Sequence, residues 1–419
     1  MKKVFLGAAT LALLSTSAYA TKARLLALGD EVEDNYYTMD DRYIFTNASF
    51  VNNYGDMVVY EFGDNGVSSY SAANPAAVDA EHATLDTDQN PKAQGGFLKK
   101  HGKFTYGAFL GNESNVSALL RIVASDGDSA GNYLATADNQ LDLFFGGQAG
   151  VNWGVNFLYA GAEKKNSAGN ELEDSAMAIR FGVNKDNWDA YANVSLQSES
   201  ENKATGNKFD GQLGMQFGGS YTFNKDLKVY GSVKKFDWEQ THGASVPVLA
   251  ATNTTDGGFT RFDVGAGKEY TASNDTTVFV RAQLTKIDIE LKYAQKAELS
   301  TINIPLIIGF ESKANDWLTL RGSVKQSLYG KADSKNLGIL LVGATGLPGN
   351  VFESDVAGLK AAGIGSYGGN FLSNGEVSME NTTNVNLGAT LTWNKIAVDT
   401  LVGSMNDDAY TRFAVKYNF

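Results

Sequence analysis

The chain is 419 residues long, with 45 glycines, 5 prolines, no cysteine and a formal charge of −12. Without cysteine it has no disulfide framework, no thiolate chemistry and no cysteine metal site. The negative charge argues against nucleic-acid partners, and no stretch approaches the ~18 consecutive apolar residues that a membrane-spanning helix needs.

Residues 1–20 have the pattern of a secretory signal peptide. Lys2 and Lys3 form its positive region, Val4–Leu14 is apolar, and Ala18–Ala20 is a small-x-small cleavage site. We therefore expect an exported protein whose mature chain begins directly after this site.

A segment of mixed character, Thr21–Asp56, follows the cleavage site. Ala23–Leu28 has the composition of a helical turn, and the segment lacks the regular alternation of the residues after it. We expect it to form either a periplasmic segment or a plug in the mouth of the domain that follows.

Apolar and polar residues alternate with a period of two from residue 57 onward, which is typical of β-strands with one apolar face. Several runs are longer than the usual strand of a soluble protein. The pattern predicts strands near 57–63, 103–111, 116–125, 139–146, 150–163, 174–184, 187–199, 209–223, 226–237, 259–272, 276–293, 299–313, 317–327, 379–393, 395–403 and 409–419. We expect an all-β fold over residues 57–419, a transmembrane antiparallel β-barrel of about 16 strands, or about 14 if 57–63 and 116–125 are loop or plug.

Tight and long connections alternate between the predicted strands. The tight turns, most of them rich in Asn and Asp, lie at 112–115, 146–150, 184–187, 224–226, 274–275, 315–316 and 394–395. The longer connections lie at 64–102, 126–138, 164–173, 200–208, 238–258, 294–298, 328–378 and 404–408. Outer-membrane barrels have short periplasmic turns and long extracellular loops, so both ends of the barrel domain should lie on the periplasmic side.

In a barrel that spans lipid, the apolar strand faces point outward and the polar faces line the lumen. The charged residues expected to line the pore are Arg121, Arg180, Lys228, Arg281, Arg321, Lys325, Arg412, Lys416, Asp142, Asp189, Asp210, Asp263 and Asp399. The aromatic residues expected to form a lipid-facing girdle are Trp153, Trp188, Phe223, Trp317, Trp393, Tyr417 and Phe419. The excess of basic residues in the first group fits a mild anion preference, and a weakly selective pore fits equally well.

The longest connection, Leu328–Ser378, contains the apolar run Leu337–Leu347. Loops of this length in compact proteins are usually functional or disordered, and this one is too apolar for plain disorder. It could fold into the lumen and form a constriction, or extend two strands beyond the membrane.

The last ten residues, Tyr410–Phe419, form an alternating strand with an aromatic terminus. This ending resembles the closing strand of Gram-negative outer-membrane β-barrels, in which the barrel-assembly machinery reads the terminal aromatic residue. The resemblance implies the same role for Phe419. To close the barrel, this strand should pair with Met57–Gly63, or with Lys103–Gly111 or Val116–Ser125 if the earlier segments are not barrel strands.

Together, the signal peptide, the strands, the turn asymmetry and Phe419 resemble Gram-negative porins. More narrowly, the segment Thr21–Asp56 looks like the start of the porin-like major outer-membrane proteins of Bdellovibrio-type predatory bacteria. It is also similar to the amino-terminal plug of the fatty-acid transporter barrels, which have about 14 strands. Asn47–Ser49 stands where that family has Asn-Pro-Ala, so the proline is missing here.

Catalysis and metal binding find little support in the sequence. The three histidines, His82, His101 and His242, all fall in predicted extracellular loops, and no His-x-x-His spacing occurs. A hydrolase triad needs a histidine beside a serine on a strand, and no predicted strand has one. We expect no enzyme activity, no cofactor and no metal.

The expected function is that of an outer-membrane porin, which lets small hydrophilic solutes and ions diffuse passively. Two alternatives remain: a ligand-specific transporter for hydrophobic molecules, with Thr21–Asp56 as its plug, and a non-conducting structural or adhesive barrel. The expected partners are outer-membrane lipid, lipopolysaccharide, the barrel-assembly machinery and small solutes. Porins of this kind are often trimers, so a homotrimer is one expected assembly.

Overall fold

The computed structural model describes residues 21–30, 35–63, 93–112, 140–165, 171–203, 206–224, 226–241, 254–292, 296–335, 375–378, 383–405 and 408–419. Three short helices precede the strands. They are α1 (Lys22–Ala27) and the 3-10 helices η1 (Asp41–Phe45) and η2 (Ala48–Asn52). The side chains of Thr21, Asp40 and Asn47 cap them by accepting a backbone N–H from the first turn. Within these ranges, no helix is long and apolar enough to cross a membrane.

The described part of the chain contains eighteen strand segments. The first nine are β1 (Met57–Gly63), β2 (Ala93–His101), β3 (Phe104–Leu110), β4 (Leu141–Gln148), β5 (Asn152–Lys165), β6 (Glu171–Lys185), β7 (Trp188–Asn202), β8 (Asn207–Gly211) and β9 (Gly214–Phe223). The other nine are β10 (Leu227–Thr241), β11 (Thr254–Ser273), β12 (Thr276–Lys292), β13 (Lys296–Asn315), β14 (Leu318–Lys335), β15 (Gly375–Ser378), β16 (Thr383–Trp393), β17 (Ile396–Met405) and β18 (Asp408–Asn418).

The strands form one closed antiparallel sheet. Each strand pairs with its neighbours in the chain, and β1 pairs with both β2 and β18, which closes the barrel. Segments β8 and β9 share one place between β7 and β10, and β15 and β16 share one place after β14. The barrel therefore has sixteen strand positions, and the predicted all-β barrel is confirmed. The predicted closure through Met57–Gly63 is confirmed as well.

The faces of the barrel are inverted relative to a soluble protein. Large apolar side chains are exposed on the outside, for example Leu387 at 58% and Phe413 at 48%. Charged side chains are buried on the inside, for example Arg321 at 3% and Asp399 at 1%. An apolar outer belt belongs in lipid, and a closed barrel leaves no unpaired strand edge there. The protein is therefore an outer-membrane β-barrel.

The early strands differ from the prediction. Strand β2 lies within a stretch predicted to be a long connection, because Gly95 and Gly96 and the run Lys99–His101 interrupt its alternation. The tight turn after it is Gly102-Lys103, and Gly102 has φ +61°, which favours glycine. His101 therefore lies at a tight, periplasmic turn, and its predicted place in an extracellular loop is wrong.

The next predicted turn is also wrong. Strand β3 pairs directly with β4, and Gly111 N–H donates to Gln140 O at 2.9 Å. The connection between β3 and β4 therefore spans residues 111–140, so the predicted tight turn at 112–115 does not join two neighbouring strands of the barrel. The strand predicted at 116–125 lies outside the described residues, and the direct pairing leaves no place for it between β3 and β4.

The strand is interrupted between β8 and β9, and this interruption changes the predicted position of one lumen residue. An added Cβ at either Gly211 or Gly214 would meet the buried ring of Phe236, although residues three apart in a regular strand face opposite sides. The break shifts the alternation by one residue. Asp210 consequently shares the outer face with its exposed cross-strand partner Glu239, so its predicted lumen position is wrong.

Candidate functional site in the barrel lumen

The described residues of the stretch 21–56, here called the luminal segment, lie inside the barrel. Their hydrogen bonds reach β17 through Thr21, β5 through Asn52 and β9 through Tyr36. A segment that contacts strands on opposite sides of a closed barrel can only lie within it. Most of its described residues are buried, and residues 31–34 lie outside the described part of the chain.

A chain of ion pairs anchors α1 to the wall formed by β13, β14 and β17. Arg24 Nε lies 3.1 Å from Glu311 Oε2, and Arg321 Nε lies 3.0 Å from the same oxygen. Arg321 Nη1 also lies 3.2 Å from Asp399 Oδ1, while Thr21 Oγ1 donates to Asp399 Oδ2 at 3.0 Å. Two wall carboxylates thus bind two guanidinium groups and the cap of α1, which leaves the charges of this group balanced.

Glu61 on β1 forms a second anchor. Its carboxylate accepts the backbone N–H of Lys22 at 2.6 Å and lies 3.3 Å from Arg42 Nη1. Gln94 on the adjacent strand also donates to it, and Arg42 Nη2 donates to Asn112 Oδ1 at 2.5 Å. One wall carboxylate therefore holds both ends of the luminal segment's first half, α1 and η1.

A row of three glycines receives η2. Gly146, Gly154 and Gly182 on β4, β5 and β6 are direct cross-strand partners. An added Cβ would lie 2.1 Å from Ala48 O at Gly154 and 1.8 Å from Asn47 Oδ1 at Gly182. The row, called here the glycine groove, is therefore a site where the wall must lack side chains so that a second backbone can approach.

Asn47 fixes the segment at the edge of the glycine groove. Its Oδ1 accepts the N–H of Ser49, and its Nδ2 donates to Asp189 Oδ1 at 3.0 Å. The hydroxyl of Tyr43 donates to the same Asp189 oxygen at 3.0 Å, and Ser220 donates to the other. Asp189 therefore joins η1 and η2 to β7 and β9 through hydrogen bonds to a charged acceptor.

Two apolar clusters fill the space between the luminal segment and the wall. The first packs Tyr43, Ile44, Phe50 and Val51 against β1 to β4, and Phe45 meets Phe109 and Phe144 edge to face at 5.2 and 5.4 Å. The second comprises Leu28, Tyr36, Tyr37, Tyr191, Tyr230, Phe279 and Ile307. Such packing excludes water between the segment and the barrel.

Burial changes the acidity of the carboxyls at the start of η1. It raises the pKa of Asp40 to about 8, although Arg24 Nη1 at 3.0 Å opposes this shift. Burial also raises the pKa of Asp41, and the ammonium of Lys416 opposes the shift there. The segment thus holds two adjacent buried carboxyls whose charged forms are disfavoured by their surroundings.

Most of the residues predicted to line the pore are buried on the inner face. Arg180 pairs with Asp142 at 2.8 Å, Lys228 donates to Tyr37 O at 2.7 Å, and Asp263 pairs with Arg261 at 2.8 Å. Arg281 binds Asp30, and Lys416 binds Asp41, both in the luminal segment. Arg412 is buried and Lys325 is partly buried, while Arg121 lies outside the described residues.

The aromatic residues predicted for the girdle lie on the outer face. Those at least one-third exposed are Trp188, Phe223, Trp317, Trp393, Tyr417 and Phe419. Trp153 is half-buried, with its ring 5.7 Å from that of Phe145. Four of these seven flank tight turns, at one end of the barrel.

Sequence reasoning missed the residues that hold the luminal segment. Glu61 follows Met57 and Val59 on an otherwise apolar strand face, and this lone charge was the available signal, whereas Glu311 shares its face with Lys313 and gave none. The glycine groove gave no such signal, because its three members meet only through strand register. The described residues contain no group of three or more His, Cys, Asp or Glu side chains placed to hold a metal.

No protein-family model and no curated protein matches the chain. Among solved structures, it is similar to a Pseudomonas aeruginosa FadL homologue, at 9% identity over 95% of this chain and 98% of that one, with a TM-score of 0.42. It is also similar to the Pseudomonas putida toluene transporter TodX, at 10% identity over 95% of this chain and 96% of that one, with a TM-score of 0.31. A third similar structure is the outer-membrane channel DcaP of Acinetobacter baumannii, at 10% identity over 87% of this chain and 95% of that one, with a TM-score of 0.32. Because all three TM-scores are low, these similarities support no inference about function.

Proposed function

We propose that the protein is an outer-membrane channel for small hydrophilic solutes, closed in the described state by the luminal segment. One observation carries the proposal: charged side chains line the wall, and many of them bind the luminal segment as well as one another. A sixteen-stranded barrel is too wide for its own side chains to fill, so displacing the segment would admit water.

The charges that the segment covers suggest weak selectivity. Three basic wall residues, Lys228, Arg281 and Lys416, bond directly to it. Four acidic wall residues also do so: Glu61, Asp189, Glu311 and Asp399. On release these groups nearly balance, which supports a weakly selective pore over the anion-preferring one.

A disulfide lock tests this proposal. The chain has no native cysteine, and an added Cβ at Gly388 on β16 would lie 2.7 Å from the Cβ of Ala27 in α1. A small backbone adjustment brings the double variant Ala27→Cys/Gly388→Cys to the Cβ separation of a disulfide, about 3.5–4.5 Å. We expect ohmic steps in planar bilayers from the reduced protein and loss of these steps on oxidation.

The single variant Ala27→Cys is the matched control, since oxidation should leave its current unchanged. Equal current from the oxidised and reduced double variant would reject the luminal segment as the closing element. If neither the oxidised nor the reduced protein conducts, the channel is rejected, and the structural barrel or the transporter is favoured.

One observation favours the transporter as the second candidate. The wall residues of the second cluster, Tyr191, Tyr230, Phe279 and Ile307, give the lumen an apolar surface of its own. A hydrophobic ligand that displaces the luminal segment would contact this surface. Binding of a fluorescent fatty acid to the purified barrel, absent in a Tyr230→Glu variant, would support this candidate.

The remaining assignments belong to the same proposal. Residues 1–20 would be the signal peptide, 21–56 the luminal plug and 57–419 the barrel. The protein would not be an enzyme, and the family would be the porin-like outer-membrane proteins of Bdellovibrio-type bacteria. Phe419 would engage the barrel-assembly machinery, and lipopolysaccharide and two further copies of the chain would be partners in the membrane.

A further inference from the structure

The periplasmic rim of the barrel is unusually basic where the barrel closes. Lys99, Lys100, His101 and Lys103 lie in and beside the turn between β2 and β3. Lys395 lies in the turn between β16 and β17, and its carbonyl accepts the N–H of Asn418 at 3.0 Å. These five residues, called here the seam patch, flank the pairing of β18 with β1 from both sides.

Other parts of the same rim carry balanced charge. Lys313 pairs with Asp316 at 2.9 Å, and Lys268 pairs with Asp226 at 3.4 Å. The turn between β4 and β5, Ala149–Val151, has no charge. In the seam patch, Asp56 and the terminal carboxylate oppose four lysines and a histidine. The patch therefore keeps a net positive charge in a chain whose formal charge is −12.

The seam patch borders an aromatic surface that faces the membrane. Alternation along β2 places Lys99 and His101 on the same outer face as Phe97, which is 39% exposed. Lys99 Nζ lies 4.8 Å from the ring centroid of Phe419. Phe104, at the first position of β3, stacks on Phe145 at 5.6 Å. The cationic groups thus stand at the end of an apolar, aromatic belt, at the depth where lipid headgroups lie.

The lysines of the patch are available to a ligand. Lys99 pairs with Asp56 at 2.6 Å, yet its side chain is 44% exposed. Lys100, His101, Lys103 and Lys395 are all exposed. Several mobile ammonium groups around a flat aromatic surface suit a phosphate group attached to acyl chains, because the phosphate meets the cations while the chains lie on the rings.

We propose that the seam patch binds the headgroup of an anionic phospholipid in the periplasmic leaflet. Lys99, Lys103 and Lys395 contact the phosphate and its anionic neighbours, and the acyl chains lie against Phe97, Phe104 and Phe419. One lipid, or a small cluster, spans β17, β18, β1 and β2. The bound lipid therefore ties together the two ends of the barrel where they meet.

The test compares the thermal unfolding of the full protein in two kinds of vesicle. One contains phosphatidylethanolamine alone, and the other contains phosphatidylethanolamine with about one-third phosphatidylglycerol. We expect the wild type to melt about 3 °C higher in the anionic vesicles. The variant Lys99→Gln/Lys103→Gln/Lys395→Gln should lose this difference while still folding in both.

The matched control neutralises three exposed lysines nearer the other end of the strands, in Lys235→Gln/Lys286→Gln/Lys296→Gln. It should keep the full lipid-dependent shift. An equal Tm of the wild type in both vesicles would overturn the proposal, as would an equal loss in the control. Lysine-dependent sedimentation with peptidoglycan, without any lipid-dependent shift, would also overturn it and assign the patch to the cell wall.

Discussion

Gly182 shows how an absent side chain fixes the position of the luminal segment. Its place in the glycine groove lets Asn47 approach the wall closely enough to bond with Asp189. No alanine fits there, because its Cβ would overlap the amide oxygen of Asn47. The glycine is required here for space and not for its backbone angles.

The substitution Gly182→Ala should therefore loosen the luminal segment without opening the sheet. We expect a loss of about 1–3 kcal/mol in unfolding free energy, the range for overpacking a filled site. Limited proteolysis should cut the segment faster in this variant. The control is Gly231→Ala, whose Cβ would meet only Asp263 O at an ordinary 3.5 Å. Equal stability of the two variants would show that η2 does not depend on the groove.

Asp40 makes the closed state sensitive to pH. Its pKa of about 8 when buried compares with about 4 for an exposed aspartate. The docked segment therefore binds this proton more tightly than a released one, so docking weakens as pH rises from about 4 to about 8. Arg24, Asp30, Asp41 and the backbone N–H of Arg42 share this environment.

We expect the open probability in planar bilayers to rise several-fold between about pH 5 and about pH 8. The variant Asp40→Asn cannot ionise at this position and should show a flatter profile across the same range. A steeper or unchanged profile in this variant would assign the pH dependence to another group, such as Asp41.

At the scale of elements, the long, regular strands and the short strands β1, β3 and β4 were predictable, whereas β2 was not. Strands β10 to β14 and β16 to β18 could be predicted because their alternation continues over ten or more residues. Strand β2 was missed because two glycines and three basic residues hide its period. The break between β8 and β9 was missed because a one-residue shift leaves composition unchanged, and that shift turns Asp210 outward.

Of the luminal helices, only α1 was predicted, as a helical turn at Ala23–Leu28, while η1 and η2 fall in the part that was predicted only as mixed in character. Arg24 and Glu311 are 287 residues apart in the chain, and nothing local marks them as partners. Capping residues such as Asn47 were visible, but their second hydrogen bonds, to β7, depend on the closed barrel. The helix caps of the site can thus be predicted from the local sequence. The contacts that these residues make with the wall depend on the closed barrel and cannot.

The seam that closes the barrel is short. Strand β1 has seven residues, all paired with β18, and across this seam Phe62 stacks on Phe413 at 5.1 Å. Removing one ring with Phe413→Ala should cost about 1 kcal/mol and lower the Tm by about 2 °C. Heat-dependent gel mobility of the folded barrel would measure the change.

The control Leu387→Ala removes a comparable outward side chain from β16, which pairs on both flanks. It should have a smaller effect, since no cross-seam contact is lost. If both variants melt at the same temperature, the aromatic pair contributes no more than ordinary lipid-facing area.

Considered as a whole, the molecule keeps its charges in separate regions. The outer belt is apolar, the lumen pairs cations with anions, and the described part of the periplasmic rim is most positive near the seam. Neither the lumen nor the rim follows from the formal charge of −12. The distribution follows from the alternation of each strand together with the pairing order around the barrel.

The position of the luminal segment also sets an order of events in time. It precedes every barrel strand in the chain, yet Thr21 binds Asp399, which lies 378 residues later, and Asp41 binds Lys416 on the last strand. These partners come into place only when β17 and β18 have paired and the ring is complete. Contacts so distant in sequence form slowly. We therefore expect a newly closed barrel to lack the docked luminal segment at first, and we expect this segment, although it precedes every strand, to reach its place last.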